Sequence, residues 1–161
     1  MTCKTHLAAG FAIGCGLCII AQPAPETAVA TIGATALCSV LPDIDTASSW
    51  IGCRFAPLAW ILRILFGHRQ FFHSLLCWTV SAVTVWLCGA PLIAAIGVAA
   101  GSTSHLLLDM LNPSGVQLLW PKATRFSLAK LRCGGLIDHI LALTFTVATI
   151  WLGYQYFTSL H

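Results

Sequence analysis

Apolar residues in this chain fall into long unbroken runs rather than into a strict alternation with polar ones, the pattern of buried or lipid-facing helices. Five runs stand out, at 7–21, 28–41, 72–88, 91–108 and 136–157. A membrane-spanning helix needs about twenty apolar residues. The last run meets that length easily. The first two are near 15 residues, which predicts little tilt or a locally thinned bilayer. A sixth run, 55–66, is too short to span, and its Trp60 and Arg63 suit a helix lying in the membrane interface. The expected fold is therefore an all-α polytopic membrane helical bundle, with about five transmembrane helices plus one interfacial helix. It forms a single domain over 1–161 with no internal repeat.

Composition agrees with the pattern. Of 161 residues, 58% are hydrophobic and only 8% charged, where soluble domains carry roughly a quarter charged. The mean hydropathy is +0.86. These values exclude a disordered tail, a coiled coil and an ordinary cytosolic enzyme. The net charge of +3 comes without a run of Lys or Arg, so direct nucleic-acid binding is not expected. Lys4 precedes an apolar stretch ending in Gln22-Pro23-Ala24-Pro25, which reads as a first span rather than a removable signal peptide. Of the eight cysteines, Cys15, Cys18, Cys38, Cys77 and Cys88 lie inside apolar runs. There cysteine acts as a small, soft hydrophobe, and nothing calls for an oxidising compartment.

The basic residues orient the bundle. Lys4, Arg54, Arg63, Arg69, Lys122, Arg125, Lys130 and Arg132 all fall on alternate connections between the five runs. By the positive-inside rule that side is cytoplasmic. The N-terminus then lies inside and the C-terminus outside.

The few acids and histidines map onto the same side. His6 is at the start of the first run, and Asp43 and Asp45 follow the second in Leu41-Pro42-Asp43-Ile44-Asp45. His68 and His73 flank the start of the third, and His105 and Asp109 end the fourth. Asp138 and His139 open the fifth, so only Glu26 and His161 lie opposite. Charged groups gather at helix ends because the bilayer centre is costly for them. That cost does not explain why the opposite connections are nearly empty. His105 and Asp109 are spaced i, i+4, which puts both on one helix face. Imidazoles and carboxylates drawn from several segments match a zinc, manganese or iron site. The candidate ligands are His6, Asp43, Asp45, His68, His73, His105 and Asp109. Seven exceed what one tetrahedral ion needs, so one or two ions fit, with spare carboxylates as base or outer support.

At these residues the chain resembles the YdjM-type bacterial inner-membrane proteins, a family described as metal-dependent hydrolases and as LexA-binding. The matching pieces are His6, Leu41-Pro42-Asp43-Ile44-Asp45, Phe66-Gly67-His68-Arg69 and His73-Ser74-Leu75-Leu76. They continue through Ser104-His105-Leu106-Leu107-Leu108-Asp109-Met110-Leu111, Pro113-Ser114-Gly115-Val116, Leu118-Leu119-Trp120-Pro121 and Arg125-Phe126. Two positions depart from the family pattern. Thr46 stands where a histidine often follows the Asp-x-Asp pair, and Asp138 stands where the family tends to have Glu. The resemblance implies an inner-membrane location, a hydrolase activity and a LexA-like regulatory partner.

A bound divalent ion would lower the pKa of water toward 7 and polarise a scissile group. Asp45 or Asp138 is then the expected proton acceptor. Arg69 and Arg125 are expected to hold an anionic group, because guanidinium forks match phosphate and carboxylate. The placement predicts an ester or phosphoester substrate at the membrane surface. The alternative is a non-enzymatic membrane protein that binds a regulator or a metal. A transporter fits less well, since its polar groups belong near the bilayer midplane.

Overall fold

The computed structural model describes residues 1–67 and 69–159. Its helices are α1 (Cys3–Ala21), α2 (Pro25–Cys38), α3 (Ala56–Phe66), α4 (Leu75–Leu87), α5 (Leu92–Met110) and α6 (Leu136–Thr158). Short 3₁₀ turns at Leu41–Asp45, Gly52–Phe55 and Phe71–His73 join them. Among the described residues extended pairing is limited to one antiparallel bridge, Val116 to Phe126, so the all-α expectation holds.

The boundaries follow local chemistry. Gln22, in the left-handed region with φ 44°, ends α1, and Pro25 opens α2, where its missing N–H costs nothing. Ser74 caps α4 by accepting from the Cys77 N–H at 3.2 Å. At about 1.5 Å per residue, α1, α5 and α6 approach or exceed the thickness of a bilayer core, and these three are long and apolar enough to cross a membrane. The helices found in the runs 28–41 and 72–88 have 14 and 13 residues. Each is about 20 Å long, short of the roughly 30 Å hydrocarbon core. The third run loses its first turn because Phe71, Phe72 and His73 form a 3₁₀ turn instead. α3 occupies the short run expected at 55–66, with Trp60, Ile61, Ile64 and Leu65 exposed.

α5 is the centre of the bundle and packs against α1, α2 and α4, while α6 packs on α1. In the most apolar stretch of α5, 61% is buried, against 6% in α6. α6 therefore presents Ile140, Leu143, Val147 and Ile150 outward, a surface suited to lipid chains. Small residues let the inner helices touch. A β-carbon at Gly101 would stand 2.2 Å from the Thr35 carbonyl oxygen, and one at Gly10 would stand 2.5 Å from Ser39 Oγ. Gly10 and Gly14 on α1, and Gly97 and Gly101 on α5, thus form two small-xxx-small faces that both grip α2. Thr31 and Thr35 return their hydroxyls to the carbonyls one turn back, each at 2.7 Å, which leaves no unmet polar group in the seam. All eight cysteines are free, and Cys15, Cys18, Cys38 and Cys77 are buried as packing groups, whereas Cys88, expected with them, is exposed.

Candidate metal centre

The close approach of α2 and α5 places the end of α2 beside the last turns of α5. The α5 helix carries His105 and Asp109 one turn apart on its inner face, both buried. After α2 the chain turns at Pro42 into the 3₁₀ turn that presents Asp43. The Ser49 hydroxyl holds this turn by donating to the Asp43 carbonyl at 2.7 Å. His73 comes from the 3₁₀ turn before α4 and is fully buried. One ligand atom from each of Asp43, His73, His105 and Asp109 lies within 4.8 Å of all the others.

The separations within this group are informative. Asp43 Oδ1 is 3.5 Å from His73 Nε2 and 3.7 Å from His105 Nε2. Asp109 Oδ2 is 3.9 Å from His73 Nε2 and 3.8 Å from His105 Nε2. These distances exceed ordinary hydrogen bonds, which span about 2.7–3.2 Å. They approach the edge of a tetrahedral shell, about 3.4 Å when each ligand atom sits roughly 2.1 Å from the ion.

His105 is held in one tautomer. Its Nδ1 lies 2.8 Å from the backbone carbonyl of Ser39, which can only accept, so Nδ1 carries the hydrogen. In the neutral ring Nε2 then holds a lone pair, and it is buried without a hydrogen-bond partner. A metal-ligating histidine shows this arrangement, one nitrogen anchored to a carbonyl and the other turned to the ion. His6 is buried as well: its Nδ1 has no hydrogen-bond partner, its Nε2 faces Asp109, and its ring stacks on His105 at 4.0 Å. Buried polar groups are nearly always satisfied, so this group of unmet donors and acceptors fits a divalent cation. Two imidazoles with two carboxylates suit zinc, manganese or iron.

The charges are arranged to keep the carboxylates ionised. Burial would raise the pKa of Asp43, but the His73 imidazole and the neighbouring His105 outweigh it and hold the group at about 2. Asp109 is surrounded by cations and donors. The Met1 ammonium is 2.7 Å from its Oδ1, Arg69 Nη2 is 3.0 Å from Oδ2, and His6 Nε2 is 3.3 Å from Oδ1.

The other expected site residues take different places. Asp45 is buried but lies outside the converging four. Its Oδ2 accepts from the Arg69 backbone N–H at 3.0 Å and its Oδ1 from the Thr46 hydroxyl at 2.9 Å. Arg69 has a positive φ of 57°, which a non-glycine residue keeps only when its surroundings enforce it. Asp45 therefore acts here to position Arg69. Asp138 is also buried, and its oxygens accept from the Thr2 N–H at 2.9 Å, the Gly134 N–H at 2.7 Å and the Thr5 hydroxyl. A carboxylate so engaged ties the start of α1 to α6. Arg125 is exposed and donates to the Ser114 carbonyl at 3.3 Å. His68 lies outside the described residues, as does His161.

Some participants gave no sequence signal. The Ser39 carbonyl acts through backbone alone, and the Met1 ammonium is brought in by the folding of α1. Asn112, which donates to Asp109 Oδ1 at 3.2 Å, was within reach of a spacing argument, being i+3 from Asp109 at a helix end.

Comparison with known proteins places this geometry in context. A family model described as YdjM inner membrane protein matches residues 1–160. The chain is 35% identical to the inner membrane protein YdjM of Escherichia coli (strain K12), across 94% of this chain and 83% of that protein. The same figures hold for the inner membrane protein YdjM of Shigella flexneri. It is 29% identical to the uncharacterized protein YvsG of Bacillus subtilis (strain 168), over 98% of this chain and 97% of that one. No solved structure matches the chain.

Proposed function

Since this chain belongs to the YdjM inner membrane protein family, we propose that it is a metal-dependent hydrolase of the bacterial inner membrane. Its substrate is an ester or phosphoester presented at the cytoplasmic interface. The observation that carries the reading is the convergence of Asp43, His73, His105 and Asp109, with His105 Nε2 buried, unpartnered and aimed by the Ser39 carbonyl.

A divalent ion held by these four, zinc or else manganese or iron, would supply Lewis acidity toward water and the scissile group. The chain does the rest. Asp43 is the one member of the four with an accessible side chain, 26% exposed, so substrate and water approach from its side. His73, His105 and Asp109 are sealed from solvent, which strengthens electrostatic interactions at the closed end. Arg69 bridges the site and the neighbouring loop, contacting Asp109 with one guanidinium nitrogen and the Ser114 hydroxyl with another. It is placed to orient an anionic group beside the ion. His6 packs on His105 beside the four.

Two results test this reading. Detergent-purified protein supplied with zinc or manganese is expected to hydrolyse members of an ester and phosphoester panel. Activity should be lost with a chelator and fall at least about a thousandfold in Asp43→Asn, with soluble aggregates absent from both samples. A protein that anchors a regulator would show no hydrolysis and would keep working in His73→Ala. The orientation rests on the basic residues. A reporter fused at the C-terminus is expected to be active in the periplasm, and a cytoplasmic signal would reverse the orientation.

A further inference from the structure

The connection between α5 and α6 folds back over the end of α5. Leu128 N–H donates to the Met110 carbonyl at 2.7 Å and Leu131 N–H to the Leu111 carbonyl at 2.9 Å. The Ser127 hydroxyl donates to the Asn112 carbonyl at 2.9 Å. This fold leaves a cavity of about 400 Å³ lined by Arg69, Asn112, Ser114 and Arg132, among others. It adjoins the candidate metal centre through Arg69, which reaches Asp109, and through Asn112, which also contacts Asp109.

The charge balance of this cavity is unusual for the chain. Its lining holds two arginines and no acid. The described carboxylates are all engaged or distant: Asp43 and Asp109 in the cluster, Asp45 on Arg69, Asp138 on the start of α1, and Glu26 in the first turn of α2. Arg132 therefore has no carboxylate partner among the described residues. Arg69 Nε is buried with no hydrogen-bond partner, although Nη1 and Nη2 of the same guanidinium contact the Ser114 hydroxyl and Asp109. An unmet buried guanidinium N–H is costly, and it lies in the group that lines the cavity. The Ser114 carbonyl is already held by Arg125, so Arg125 braces the loop and Arg132 is the arginine left for a ligand.

Resting on the hydrolase reading above and narrowing its substrate, we propose that this cavity binds a phosphate group, held by Arg69 and Arg132 with Ser114 and Asn112, so that a phosphoester is seated beside the metal centre. Guanidinium forks match phosphate oxygens two at a time. The donors here come from two separate segments, which suits a tetrahedral anion better than a planar carboxylate.

The test is a titration of inorganic phosphate into the full-length detergent-solubilised protein, read by calorimetry, with metal content measured on the same samples. Wild type is expected to bind phosphate whether metal-loaded or chelator-treated. Arg132→Gln should weaken binding at least tenfold with metal content unchanged. Lys122→Gln, in the same connection but lining a different cavity, should leave affinity unaltered. Absence of phosphate binding, or equal weakening by Lys122→Gln, overturns the proposal. Metal retained without phosphate binding removes the phosphate site and spares the metal centre, whereas phosphate bound to a chain that never takes metal does the reverse. Displacement of phosphate by phosphatidic acid doped into the micelles identifies a lipid headgroup as the source. Displacement by glycerol 3-phosphate identifies a soluble phosphoester.

Discussion

Replacing His105 with alanine is expected to lower the affinity for zinc or manganese by more than about a hundredfold. Removing an outer partner of a metal ligand typically costs 10- to 100-fold, and here the ligand itself goes. The side chain is fully buried, anchored through Nδ1 to the Ser39 carbonyl, and its other nitrogen faces Asp43 and Asp109 without a hydrogen bond. The effect should therefore be specific to metal. His105→Ala should elute from gel filtration as wild type does, while equilibrium dialysis against the ion shows the loss. His105→Gln, which preserves much of the volume, should bind metal as poorly. Full affinity in both variants would mean that the imidazole is a packing group.

The second large effect is on stability, at Asp109. In chelator-treated protein Asp109→Asn removes the negative charge in contact with the Met1 ammonium, the Arg69 guanidinium and His6. The ammonium and the guanidinium would lose their paired charge in a largely buried setting, a situation that typically costs about 3–5 kcal/mol. For a chain of this length that corresponds to a fall in Tm on the order of 10 °C, measurable by thermal unfolding in detergent. Asp43→Asn should cost much less under the same conditions, because Asp43 is 26% exposed and pairs with imidazoles rather than fixed cations. Equal shifts would contradict the assignment of Asp109 as the electrostatic hub. Working with chelated samples separates this role from metal binding, which both variants are expected to impair.

Part of this was legible in the residue order. Helical periodicity is local, so the i, i+4 spacing alone put His105 and Asp109 on one face. Among the described residues each of the six α-helices falls on one of the runs, the short run at 55–66 becoming α3. Helix length was less legible. A hydropathy run does not register where a 3₁₀ turn replaces the first helical turn, as at Phe71–His73. Nor does it register that α1 continues through Lys4, Thr5 and His6, where Asp138 receives the Thr5 hydroxyl and the Thr2 N–H.

Among the candidate ligands, Asp43 and Asp45 are indistinguishable from sequence. Which of the two faces the centre depends on the 3₁₀ turn after Pro42 and on the Arg69 N–H that claims Asp45. Asp138 and Arg125, expected in chemistry, are drawn instead into holding segments together. The Ser39 carbonyl and the Arg132 side chain gain their roles only through contacts between distant segments, which no spacing rule contains.

On this reading Asp43, His73, His105 and Asp109 together hold a divalent ion. The most direct measurement is elemental analysis of wild-type protein purified in detergent without chelator from cells supplied with zinc and manganese, followed by X-ray absorption at the metal edge. The expected result is one to two ions per chain in a shell of nitrogen and oxygen that includes imidazole scattering. Metal-free wild type, or an ion ligated by sulfur, would contradict it.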